Sequence, residues 1–180
     1  MVVKRGGTVW GAGVNTVGQL GMQGGENMVK RYFVKVLFGG AQAVVAGGEH
    51  SMVLTEVGTV WATGSNVYGQ LGDGSNDARD NFVQVVVTYA KAVAAGAKHS
   101  LVMMRGGSVW STGYNSHGQL GDGSTTDRNC FMRAILGQKK VVAIAAGYHV
   151  AYLCGQFGDA RQRVVCVWAA RSVCQYRFCA

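Results

Sequence analysis

Proline is absent from all 180 residues. Its absence rules out a collagen-like triple helix and a polyproline spacer. Charge is sparse too: Asp, Glu, Lys and Arg make up 14% of the chain, against 48% apolar residues. A disordered segment is richer in charge and poorer in apolar side chains. No run of five like charges occurs, so neither an acidic tail nor a basic arm is present. No apolar stretch approaches the roughly 20 residues that a spanning helix needs. Gly6 and Gly7 interrupt the start of the chain, where a secretory signal would carry its apolar core. Cys130, Cys154, Cys166, Cys174 and Cys179 contain no C-x-x-C pair. That spacing argues against a zinc site, and the odd number argues for reduced thiols in an intracellular reducing compartment, cytoplasmic or nuclear. Association with an organellar complex stays open.

What the chain has in abundance is glycine, 28 residues of it, placed periodically. "GTVWGAGVNTVGQLG" begins at Gly7, "GTVWATGSNVYGQLG" at Gly58 and "GSVWSTGYNSHGQLG" at Gly107. "FVKVL" at Phe33, "FVQVV" at Phe82 and "FMRAI" at Phe131 stand 49 apart. "AVVAGGEHSMVL", "AVAAGAKHSLVM" and "AIAAGYHVAYL" follow, carrying His50, His99 and His149. A fixed period of this length marks a repeat architecture. Within the middle copy, four short stretches rich in valine and aromatic residues alternate with turn formers: 58–63, 82–87, 92–95 and the run after His99. Four strands per unit of about 50 residues is the make-up of a β-propeller blade. The fold class expected is therefore all-β: a partial β-propeller of about three four-stranded blades, with a degenerate fourth strand region. The repeats occupy 1–154. A degenerate repeat or tail occupies 155–180, where "VCVWAA" places Trp168 in the blade position of Trp10, Trp61 and Trp110.

The string G-x-V-W-x-x-G-x-N-x-x-G-Q-L-G, followed by an apolar strand and A-G-x-x-H-S, resembles the repeat of the regulator of chromosome condensation family. The resemblance runs over roughly 1–151, and the phrasing is nearest to ligase-like and uncharacterised repeat proteins. It implies blades that usually close seven to a ring, in proteins that include a chromatin-bound guanine-nucleotide exchange factor and large ubiquitin ligases. Three full repeats and one strand fall short of such a ring.

A turn residue recurs once per blade, whereas a catalytic residue has no reason to. Asn15, Asn66, Asn115, Gln19, Gln70 and Gln119 are therefore read as structural, with Leu71 anchoring its loop in the core. His50, His99 and His149 occupy one place in three blades. Equivalent positions in neighbouring sheets lie about 10 Å apart, too far to share a metal ion. They are expected to bond to backbone. His117 is not repeated and is expected to be exposed. Asp73, Asp77 and Asp80, echoed weakly by Asp122 and Asp127, read as a solvated loop, because calcium needs a denser oxygen set. No phosphate-binding or nucleophile motif is present, and no cofactor or metal is expected.

Function should lie where the blades differ. The candidate contacts are Lys30, Arg31 and Lys35, then Lys139 and Lys140, then Arg161 and Arg163. The expected role is a non-catalytic protein-interaction scaffold or assembly subunit that binds a protein partner or another copy across open blade edges. The alternatives are an exchange factor for a small GTPase at chromatin and a fragment of a ligase's accessory propeller. The net charge of +8 also admits nucleic acid.

Overall fold

Short valine-rich segments cut by glycine disfavour helices, and the described residues form strands and turns with no helix. The computed structural model describes residues 1–22, 28–36, 39–85, 88–136, 140–156 and 165–169. Its fourteen strands are β1 (Val2–Lys4), β2 (Thr8–Val14), β3 (Val29–Val36), β4 (Ala41–Ala46), β5 (His50–Thr55), β6 (Val60–Gly64), β7 (Arg79–Val85), β8 (Ala90–Ala95), β9 (His99–Met104), β10 (Val109–Gly113), β11 (Arg128–Arg133), β12 (Lys140–Ala146), β13 (Ala151–Gln156) and β14 (Val165–Ala169). They form four antiparallel sheets: β1-β2-β3, β4-β5-β6-β7, β8-β9-β10-β11 and β12-β13-β14. This is a partial β-propeller: two complete blades flanked by two three-stranded sheets.

The register is the same in every sheet. Trp10 pairs with Val2, Trp61 with Val53, Trp110 with Val102 and Trp168 with Tyr152. The sequence period and the sheet are, however, out of phase. The repeat that opens at Gly58 contributes β6 and β7 to one sheet and β8 and β9 to the next. Neighbouring sheets are stitched where the chain crosses between them: the Ala41 amide donates to the Gly7 carbonyl at 3.0 Å, the Ala90 amide to that of Gly58 at 3.0 Å and the Val141 amide to that of Gly107 at 3.1 Å.

The cores lie between sheets. Val9, Val36, Ala41 and Val53 fill the first gap. Met52, Leu54, Val60, Leu71, Val93 and Val102 fill the second, and Met103, Val109, Val141 and Leu153 the third. A strand with a sheet on each side cannot alternate between water and core, so all six residues of β5 are buried. The outer strands β7 and β11 are exposed or half-buried at every residue but Val85. Antiparallel order puts the long G-x-N-x-x-G-Q-L-G loops and the β4–β5, β8–β9 and β12–β13 turns on one face, here the loop face. The β1–β2, β5–β6 and β9–β10 turns lie on the opposite face.

Candidate interaction surface

The repeated polar residues are engaged inside the fold. Asn66 accepts the Leu71 amide on Oδ1 at 2.9 Å, and its Nδ2 donates to the Ser75 carbonyl at 3.0 Å. Asn15 and Asn115 hold Leu20 and Leu120 in the same way. Gln19, Gln70 and Gln119 each accept the amide two residues earlier, at 3.0, 2.9 and 3.0 Å. Leu20, Leu71 and Leu120 are buried.

The next blade locks onto these loops. Thr63 Oγ1 donates to the Gly18 carbonyl and Ser51 Oγ to that of Gln19; Thr112 and Ser100 repeat both bonds to Gly69 and Gln70. Phe82 lies over Gly21 and Phe131 over Gly72, where a Cβ would stand 2.2 and 2.4 Å from the ring. At Gly69 a Cβ would come within 2.4 Å of the Asn129 Cα. Glycine is required there both for its φ of +77° and for this close approach.

Two features differ from the sequence reading. His50 bonds not to backbone but to the Ser100 hydroxyl of the next blade, at 2.9 Å. Asp73 and Asp122 are not solvated. Their side chains are 8% and 4% exposed and ion-paired with Arg79 and Arg128, at 2.8 and 2.9 Å. Burial pushes each carboxyl up, but the Ser75 or Ser124 amide and hydroxyl, with the arginine, outweigh it and hold the pKa below its ordinary value. The signal was present as D-G-S-x-x-x-R, at Asp73–Arg79 and again at Asp122–Arg128.

His50 and Ser100 are the atoms of a base and a nucleophile in hydrogen-bond contact, yet they cannot act so. Ser100 has one proton and gives it to the Gln70 carbonyl, which only accepts. The His50 Nε2 must therefore be the donor. Both residues are fully buried, beyond reach of a substrate. Burial, then the proximity of His99, lowers the His50 pKa to about 4, so the ring stays neutral at pH 7. Burial lowers His99 to about 4 as well, against an opposing effect of the Val150 backbone. His99 has no serine to meet, because Val150 stands where Ser100 stands for His50, and neither ring nitrogen reaches hydrogen-bonding geometry.

The basic residues singled out above are not brought together. Lys30 and Arg31 open β3 on the loop face, while Lys35 near its far end and Lys140 at the start of β12 lie toward the opposite face and in different sheets. Lys139, Arg161 and Arg163 fall outside the described residues. Trp10, Trp61 and Trp110 are half-buried, and Lys4 Nζ stands 3.9 Å above the Trp10 ring.

The structure gathers a different set on the loop face. Lys98 Nζ lies 4.6 Å above the Tyr68 ring and 5.8 Å from that of Tyr114, and donates to the Tyr68 hydroxyl at 3.1 Å. That hydrogen bond raises its pKa. The Tyr68 and Tyr114 rings meet edge to face at 5.0 Å. His117 and His149 lie 4.6 Å apart, centroid to centroid, and Tyr148 sets its edge against His149 at 4.4 Å. Ser116 bonds both the Tyr114 hydroxyl and His117 Nδ1. Of these residues only His117 stood out in the sequence as unrepeated, and it is exposed. The signal for Tyr68, Lys98, Tyr114 and Tyr148 is disagreement between copies: Val17, Tyr68 and His117 share one position, Val14, Ser65 and Tyr114 a second, and Glu49, Lys98 and Tyr148 a third, while His149 holds the place of His50 and His99.

Among the described residues no helix is long and apolar enough to cross a membrane, and no group of three metal-ligating side chains converges. Three solved structures share the fold. Prp20p of Saccharomyces cerevisiae, described with its binding to Gsp1p and histones, is 18% identical with a TM-score of 0.76 over 92% of this chain and 42% of that one. Human WBSCR16 is 24% identical, with a TM-score of 0.76 over 88% of this chain and 42% of that one. Yeast RCC1 (Prp20) bound to Kap60 is 18% identical, with a TM-score of 0.75 over 89% and 39%. The chain thus spans about two fifths of the length of these proteins. One model of the regulator of chromosome condensation (RCC1) repeat matches 41–70 and 90–119, and a second matches 57–103 and 106–153. The first starts where the second and third sheets start; the second keeps the phase of the sequence period. Between them they take in 41–153, more than half of the sequence, and the chain belongs to the regulator of chromosome condensation (RCC1) repeat family.

Proposed function

We propose that the protein is a non-catalytic interaction scaffold, a subunit that presents propeller loops to a protein partner. One observation carries this reading. The asparagines and glutamines that recur from copy to copy are occupied within their loops, while side chains that differ between copies collect, beside the repeated His149, in one accessible cluster on the loop face. A surface enriched in tyrosine and histidine around a single lysine has the composition of a protein contact. The open terminal sheets add a second route to association, including self-association, because unpaired sheet edges invite pairing. Prp20p, which shares the fold, is described as binding Gsp1p and histones, and yeast RCC1 as bound to Kap60; both favour protein partners for this chain too.

The test is nucleotide release. Small GTPases loaded with a fluorescent guanine nucleotide should release it at the same rate with and without sub-stoichiometric protein. Catalytic acceleration would overturn the scaffold reading in favour of an exchange factor.

A further inference from the structure

We propose that Tyr68, Lys98, Tyr114, His117, Tyr148 and His149 form the docking site for a short acidic segment of a protein partner, one that presents a carboxylate beside an aromatic or aliphatic side chain. The inference rests on the scaffold reading and gives it a site and a ligand chemistry.

The fold does not demand five of these residues; the sixth, His149, is the repeated histidine of its copy. The first copy fills the same three positions with Val14, Val17 and Glu49. They come from three consecutive sheets and meet over the joints between them: Tyr68 follows β6, Lys98 lies between β8 and β9, Tyr114 and His117 follow β10, and Tyr148 and His149 lie between β12 and β13. Lys98 is the centre of the argument. Arg79 and Arg128, on the same face, are each neutralised by an aspartate. Among the described residues Lys98 has no carboxylate partner; its neighbours are a phenol hydroxyl and two rings. A cation held by π faces keeps its charge and stays available to an incoming anion. Tyr148 is 68% exposed and offers a ring to an apolar flank.

The surroundings set the size of that anion. Glu49, Asp77, Asp80 and Asp127 lie on the same face and form no ion pair among the described residues. They repel a polyanion such as a nucleic-acid strand, whose binding needs a cationic track. They tolerate one or two carboxylates that land on Lys98 itself.

The full chain is panned against a phage library of random peptides, and selected peptides are measured by fluorescence anisotropy. Selected peptides are expected to carry Asp or Glu next to an aromatic or aliphatic residue. They should weaken at least about tenfold toward Lys98→Met and toward Tyr148→Ala, with unchanged circular dichroism. Lys98→Glu should select basic peptides instead; it keeps the fold, since Glu49 occupies the equivalent place one blade earlier. Uncharged or basic peptides on the wild type, acidic peptides indifferent to Lys98→Glu, displacement by oligo-dT, or a library that yields no binder would each overturn the site. None of these results touches the nucleotide-release experiment, so the site can fail while the scaffold reading stands.

Discussion

At the scale of the residue, one asparagine closes a loop of the blade from inside. Asn66 accepts the buried Leu71 amide and donates to the far end of its loop at Ser75. Asn66→Ala leaves that amide without a partner, and should lower unfolding free energy in urea by about 1–3 kcal/mol. Val67→Ala, an exposed change in the same loop, should stay within about 0.5 kcal/mol. The histidines make a different prediction. His50 and His99 have folded pKa values of about 4, below the ordinary 6.5. Below 6.5 the unfolded chain takes up protons that the folded chain refuses. Stability should therefore be full above pH 6.5 and fall steadily toward pH 4. Asp73 and Asp122, whose pKa values are depressed, add a further loss at still lower pH, as the medium falls through their folded values. Urea midpoints across this range test the sign, and His99→Gln should flatten the upper part of the slope. The turn residues were legible in the sequence because backbone geometry needs the same atoms in each copy. The loop-face cluster was not, since Tyr68, Lys98 and Tyr148 sit far apart along the chain and only the sheet-to-sheet packing joins them.

At the scale of the element, the strands and their period could be read from valine runs and glycine turns, but not the sheet to which each strand belongs. A period has no origin. Hairpin pairing continues through the repeat, and only the crossing near Gly58 and Ala90 decides where one sheet ends. The joints between blades were equally hidden, because they depend on a hydroxyl one whole repeat away. Ser100 links His50 to the Gln70 carbonyl, whereas at the next joint the Val150 side chain has no hydroxyl to offer His99. Val150→Ser should restore the pair and raise stability by about 0.5–1.5 kcal/mol. Ser100→Val should lower it by about 1–3 kcal/mol, since it strands a buried imidazole nitrogen. If Val150→Ser is neutral and Ser100→Val costs nothing, the hydroxyl lock does not hold the blades.

At the scale of the molecule, a row of sheets that touch only their neighbours is nearly one-dimensional. Its stability is a sum of blade terms and joint terms rather than the property of one core. The joint between the second and third sheets has the hydroxyl locks of Ser100 and Thr112, the Phe131–Gly72 contact and the largest buried cluster. The joint to the fourth sheet has Val150 in the place of Ser100, and its described buried residues fall into two clusters, each smaller. The fourth sheet should open first. Hydrogen exchange should then find the amides of β5 and β9 slowest, exchanging only through global unfolding, and those of β13 faster through local opening. Val150→Ser should slow β13 while leaving β5 unchanged, because the added bond lies at one joint only. Equal protection of β13 and β9 in the wild-type chain would mean that the sheets unfold as one unit, and that the loop-face cluster spans a rigid joint rather than one that a bound segment would tighten.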